Sequence, residues 1–213
     1  MPSIHTLAVF AAAVVVFAAV PGPAVFYVVT RSISQGRRAG GVSAGAVAVG
    51  NLVHVAAATV GLSALLASSA VAFSVVKYVG AAYLVYLGVR ALLSREHAQR
   101  TGQPVPQPLS RVFREGVVVA VLNPKTALFF LAFLPQFVDP GRGSASAQLA
   151  VLGILLVAIT VVSDFCYAMA TGSAGAWLRA RNRVLHRSRF VTGGAYITLG
   201  VTAAVAGDRP QAG

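Results

Sequence analysis

LAVFAAAVVVFAAVPGPAVFYVVT (residues 7–30) and EGVVVAVLNPKTALFFLAFLPQFV (residues 115–138) decide the fold. Each is long enough to cross a hydrocarbon core, which takes roughly 20 apolar residues as a helix. Each is also broken near its middle, at Pro21-Gly22-Pro23 and at Asn123-Pro124-Lys125. Proline removes a backbone donor and clashes with the preceding turn, so in a bilayer the freed polar groups need protein, cavity water or a ligand as partners. Two such breaks at corresponding places in two halves of a membrane protein predict a substrate site between them.

The rest of the chain fits that frame. Its 213 residues are 57% hydrophobic and 10% charged, far from the balance of a soluble domain. Six apolar spans are predicted, near 7–30, 40–66, 70–90, 115–138, 147–174 and 190–207. The second and third share one long run, divided at Ser68-Ser69. Barrel strands are about 10 residues long and alternate in polarity; these runs are far longer and do not alternate. No Lys or Arg precedes the first apolar run, so it is expected to stay as a helix rather than act as a signal peptide. The fold class is therefore an all-α integral membrane protein with six transmembrane helices.

A net charge of +12 raises nucleic-acid binding, and the placement of the charge argues against it. Arg31, Arg37 and Arg38 follow the first span; Arg90, Arg95, Arg100, Arg111 and Arg114 lie between the third and fourth; Arg179, Arg181, Arg183, Arg187 and Arg189 lie between the fifth and sixth. Thirteen of the 17 basic residues thus fall in alternate connections. The positive-inside rule puts those connections in the cytoplasm and both termini outside, where anionic lipid of the bilayer attracts them. The Pro-rich stretch Gln103 to Pro108, within a linker at 94–110, joins two halves, 1–93 and 111–213, of a single domain.

Three helices per half is an odd number, so two copies must be inverted relative to one another. Gly80-Ala81-Ala82-Tyr83 in the third span echoes Gly193-Gly194-Ala195-Tyr196 in the sixth. Pro23 lies eight residues before Arg31 and Pro124 ten after Arg114. At ~1.5 Å per helical residue, both are about 12 to 15 Å from the basic face, which is the bilayer midplane. Pro23 and Pro124 suit the first position of a new half-helix, with Gly22 or Asn123 as N-cap. Such half-helix starts offer N–H groups and a positive dipole end to a central cavity.

Other polar residues fall at similar depth: Asn51, His54, Lys125 and Asp164. A charge at the midplane is costly and defaults to a functional role. Asp164 has two readings. Desolvation would favour its protonated form and suit it to carry a proton; pairing with Lys125 would keep it ionised and make the pair structural. His54 reads as a hydrogen-bonded packing residue, and Lys77 as a snorkelling one. Cys166, the single cysteine, reads as a small buried packing residue. No cofactor or metal-ligand set is expected. Gly41-Val42-Ser43-Ala44-Gly45 matches G-x-S-x-G, but no strand precedes it. Ser43 and His54 are also too far apart along one helix to bond. Gly41 and Gly45 are better read as a close helix-packing face, so no enzyme is expected. Gly-rich faces of the second and fifth spans would serve internal packing or a homodimer.

Pro21-Gly22-Pro23, VVKYVGAAYLVYLGV (residues 75–89) and NPKTALFFLAFLPQF (residues 123–137) resemble the signatures of LysE/RhtB-type bacterial amino-acid exporters, in order and spacing over nearly the whole chain. The resemblance implies an inner-membrane location and efflux of amino acids or close derivatives driven by protons. It carries Pro21, Gly22, Pro23, Asn123, Pro124, Lys125 and Asp164 onto this chain as functional positions. This chain has Val20 where many relatives have Ser, and Pro23 where they have a small polar residue. The expected protein is a proton-coupled exporter whose substrate pathway includes these breaks and Asn51. Few charges near the expected cavity point to a neutral or modestly polar substrate. The other reading of the same polar cavity is a passive pore or lipid-handling protein.

Overall fold

The computed structural model of the protein describes residues 1–62 and 106–178, with isolated helical positions between 75 and 89 and at 197 and 201. Every regular element among the described residues is helical. Among the described residues three helices are long and apolar enough to cross a membrane, over Arg37–Gly61, Leu109–Phe137 and Ala145–Ser173. A fourth span is a pair, Ile4–Ala19 and Pro23–Gln35, bent by 53° at its break. These four match the predicted spans 7–30, 40–66, 115–138 and 147–174. The predicted spans 70–90 and 190–207, the division at Ser68-Ser69, Lys77, the Gly-rich echo and most of the linker lie outside the described residues.

Local sterics set the breaks. α1 (Ile4–Ala19) starts where the Ser3 hydroxyl accepts from the Thr6 N–H, and stops at Val20, which is extended because Pro21 disfavours the helical region for the residue before it. Gly22 is extended ahead of Pro23 for the same reason, and Pro23 opens α2 (Pro23–Gln35). Gly36, at φ 82°, turns the chain straight into α3 (Arg37–Ala57); a left-handed φ of this kind suits glycine. α4 (Leu109–Val121) ends before Asn123, again extended ahead of a proline. α5 (Pro124–Leu128) then runs through a π-helical turn, Phe129–Phe133, and a 3-10 turn, Leu134–Phe137. The second break is the shallower one, since Leu109–Phe137 continues as one span. α6 (Ala145–Leu178) is unbroken over 34 residues.

α3 is central and packs on α2, α4 and α6. The apolar core divides into two clusters. One is rich in Phe and Leu: Phe10, Val14 and Phe17 of α1, Val55 of α3, Phe129, Phe130 and Phe133, and Leu149, Leu152 and Leu156 of α6. The other is small: Ala24 and Val28 of α2, Ala44 and Val47 of α3, Ala120 of α4 and Ala168 of α6. The buried polar residues Asn51 of α3, Asn123, Lys125 and Thr126 of the second break, and Thr160 and Asp164 of α6 fall along the chain between members of the two clusters. The fold thus holds a polar belt between two apolar layers.

Three expectations are corrected. Arg31 is not in a loop but buried within α2, and Arg37, Arg38, Arg111 and Arg114 sit in the first turns of α3 and α4. Cys166 is exposed; a long helix that is apolar all round does not reveal which side faces inward. Gly41 and Gly45 are not the close-packing face. A Cβ on Gly45 would meet nothing within 4 Å among the described residues, whereas one on Gly50 would lie 2.5 Å from the Ala120 Cβ and 2.8 Å from the Val117 carbonyl oxygen. Gly50 therefore sets the distance between α3 and α4. Gly50→Ala is expected to destabilise the protein by about 1 to 3 kcal/mol through overpacking, and Gly45→Ala to leave it unchanged. Melting temperatures of the two purified variants in detergent check this ordering.

Candidate substrate cavity at the helix breaks

The broken end of α1 is the starting point. A helix leaves its last carbonyls without intrahelical partners, and here their partners come from distant segments. Lys125 Nζ donates to the Phe17 carbonyl at 2.7 Å and the Val20 carbonyl at 2.5 Å. The ammonium also stands 4.1 Å from the centroid of the Phe17 ring. Tyr167 of α6 donates its hydroxyl to the Ala19 carbonyl at 3.1 Å. A cation at a helix C-terminus also meets the negative end of the helix dipole. The lysine of the second break thus caps the first.

The two half-helix starts differ. At α5 the Asn123 side chain accepts from the Lys125 N–H at 3.1 Å and donates to the Thr126 hydroxyl at 3.0 Å, so this start is capped from within. At α2 the cap is Gly22, with no side chain to take the first N–H groups, and Ala24 and Val25 line the cavity beside it. The open N-terminus is therefore that of α2.

Between these ends is a small cavity of about 30 Å³, lined by Gly22, Asn51, Asn123, Lys125, Thr126, Thr160 and Asp164 together with Phe17, Ala18, Ala24, Val25 and Val47. Such a space holds one or two waters and no amino acid. Asn51 is 3% exposed, and its Oδ1 has no hydrogen-bond partner. Asp164 is 4% exposed. Among the described residues no group donates to its carboxyl, and the ion pairs are Arg31–Glu115, Arg111–Glu115 and Arg142–Asp139. Lys125 and Asp164 share the cavity, and the ion pairs seen among the described residues do not include one between them.

Of the sequence-predicted residues, the fold brings Gly22, Asn51, Asn123, Lys125 and Asp164 onto one cavity wall, while Pro21, Pro23 and Pro124 shape the breaks. His54 is a packing residue as expected: its Nε2 is 3.1 Å from the Ala120 carbonyl and its ring stacks on Phe130 at 5.8 Å. Ser43 is buried and donates to the Ala39 carbonyl, and neither it nor His54 lines the cavity. Sequence reasoning missed Thr126, Thr160 and Tyr167. Thr160 and Tyr167 stand four before and three after Asp164, a spacing that puts all three on one helix face, so the signal was present.

Contacts among the described residues flank the cavity on two sides. On one side Phe17, Phe129, Phe133, Phe137 and Phe10 form a chain of ring contacts with centroids 4.3 to 5.2 Å apart. Beyond it lies an open vestibule of about 470 Å³ bordered by His5, Gln136 and Asp139. On the other side polar contacts fasten α2 to α4 and the segment before it. Arg31 donates to Glu115 at 2.7 Å, Tyr27 to the Val112 carbonyl at 2.7 Å and Gln35 to the Gln107 carbonyl at 2.8 Å.

Comparison with known proteins agrees with this architecture. The LysE type translocator family profile matches residues 15–207. An uncharacterized membrane protein of Vibrio cholerae is 32% identical over 208 residues, 95% of this chain and 98% of its own. A leucine efflux protein of Klebsiella pneumoniae is 33% identical over 150 residues, 70% of this chain and 68% of its own. A homoserine/homoserine lactone efflux protein of Salmonella typhi is 29% identical over 159 residues, 75% and 77%. No solved structure matches the chain. With its cavity between broken helices, this bacterial-type membrane protein belongs to the LysE type translocator family.

Proposed function

We propose that this protein exports a neutral amino acid or a close derivative from the cytoplasm in exchange for protons. The observation that carries the reading is the polar belt. An open half-helix N-terminus, a buried carboxyl and an unpartnered amide oxygen meet there in one cavity. Relatives named for leucine and for homoserine efflux supply the substrate class.

The chemistry follows from the lining. The substrate carboxylate sits at the Gly22 end of α2, where free N–H groups and the dipole favour an anion. The substrate ammonium sits at Asp164 and the Asn51 Oδ1. A proton arriving at Asp164 neutralises its carboxylate and releases the ammonium, so proton and substrate alternate at one group. Because the cavity fits only water as it stands, loading needs the α2–α4 contacts to part and unloading needs the phenylalanine chain to part. The full protein has six helices in two inverted three-helix halves, with both termini outside and the basic ends cytoplasmic.

The direct test is proteoliposomes loaded with leucine or homoserine under an imposed proton gradient. Gradient-dependent efflux is expected; efflux indifferent to the gradient would favour a passive pore. Gly22→Ser tests the carboxylate site. A serine at this position caps α2 itself, competing with the substrate, so KM is expected to rise severalfold while thermal stability is kept or gained. An unchanged KM would place the carboxylate elsewhere. For the topology, a cysteine at Gln103 in a Cys166→Ser background is expected to react with an impermeant thiol reagent only after the cytoplasmic side is opened. Labelling in intact cells would invert the orientation.

A further inference from the structure

A second concavity lies on the flank of α4 and shares no lining residue with the central cavity. It is a half-open groove of about 510 Å³ lined by Tyr27, Arg111, Arg114, Glu115, Val118 and Val119. Its rim is cationic. Glu115 is engaged by Arg31 at 2.7 Å and by Arg111 at 3.0 Å, so its one negative charge is more than offset. Arg114 is exposed and makes no hydrogen bond or ion pair among the described residues. Arg111 and Arg114 stand on neighbouring turns, with guanidinium forks suited to phosphate oxygens.

Below that rim the groove is apolar. Val118 and Leu122 follow Arg111 and Arg114 on the same side of α4 and are 54% and 73% exposed. From Arg114 to Leu122 is eight residues, or about 12 Å along the axis, in the direction of the membrane interior. A soluble anion would use the arginines and leave the apolar strip uncovered. A molecule with an anionic phosphate head and a hydrocarbon tail satisfies both.

We propose that this groove is a binding site for an anionic phospholipid of the surrounding bilayer. The phosphate is held by Arg111 and Arg114, and an acyl chain lies along Val118, Val119 and Leu122. The assignment concerns binding and is independent of the transported substrate. It also places the lipid next to Glu115, whose other partner, Arg31, ties α2 to α4.

The test is native mass spectrometry of the intact detergent-purified protein titrated with phosphatidylglycerol or phosphatidylcholine. Phosphatidylglycerol is expected to be retained in preference, and Arg114→Gln to weaken that preference about fivefold, with Arg111→Gln/Arg114→Gln weakening it further. Arg142→Gln, at the opposite end of the described helices, is expected to leave it unchanged. Arg114→Gln breaks no contact among the described residues, so its fold is expected to survive, checked by an unchanged melting temperature without lipid. Equal retention of both lipids, full retention in the arginine variants, or displacement by inorganic phosphate at concentrations that leave the lipid tail irrelevant would each overturn the proposal.

Discussion

Asp164→Asn is expected to reduce gradient-driven efflux to background while leaving substrate exchange measurable. The amide keeps the shape of the carboxyl and part of its hydrogen-bonding capacity, but cannot take up and release a proton. The surroundings make this test sharp. Asp164 is buried at the cavity with no donor bonded to its carboxyl among the described residues, and its nearest cation, Lys125, directs its ammonium to the carbonyls of α1. Neutralising Asp164 therefore breaks no hydrogen bond among the described residues, and the melting temperature is expected to hold or rise, because a buried charge has been removed. The measurement is efflux and homo-exchange in proteoliposomes, with thermal unfolding alongside. Efflux that still follows the proton gradient in the variant would remove Asp164 from the coupling step.

Lys125→Met is expected to cost both stability and transport. It leaves the Phe17 and Val20 carbonyls without their donor, at roughly 1 to 3 kcal/mol for each group left unsatisfied, and it removes the cation from the C-terminal end of the α1 dipole. Lys125→Gln retains amide donors for the same carbonyls and is expected to recover much of the stability. Adding Asp164→Asn to Lys125→Met is expected to restore neither property, since the lysine is held by backbone carbonyls rather than by the carboxylate. Thermal stability and proton-driven efflux of the two singles, the double and the glutamine variant check this. Full recovery of both properties in the double would mean that the two side chains form a structural pair.

The two tests together separate coupling from capping. If Asp164 carries the proton and Lys125 holds the break, the first variant loses the gradient and keeps the fold, whereas the second loses the fold's rigidity at the break. Opposite results on stability from two residues of one cavity are what the hydrogen-bond geometry demands.

Several features of the site are local and were legible in the chain. A residue before proline avoids the helical region, so Val20, Gly22 and Asn123 are extended whatever surrounds them. Pro23 and Pro124 open helices for the same steric reason. The apolar lengths required helices, and the polar residues Asn51, Asn123, Lys125 and Asp164 stood out because a bilayer penalises them. Contacts between segments were not legible in this way. α1 is apolar on nearly every side, and most of α6 is too, and in a membrane the lipid-facing and inward-facing apolar residues are alike. Apolar periodicity therefore did not say that Cys166 is exposed or that Arg31 turns inward to Glu115. Nor could it say that Gly50 rather than Gly45 meets α4, or that Lys125 reaches α1 before it reaches Asp164. Those outcomes depend on how far apart two backbones lie and which carbonyls a break releases beside which side chain, and such distances exist only once the helices have packed.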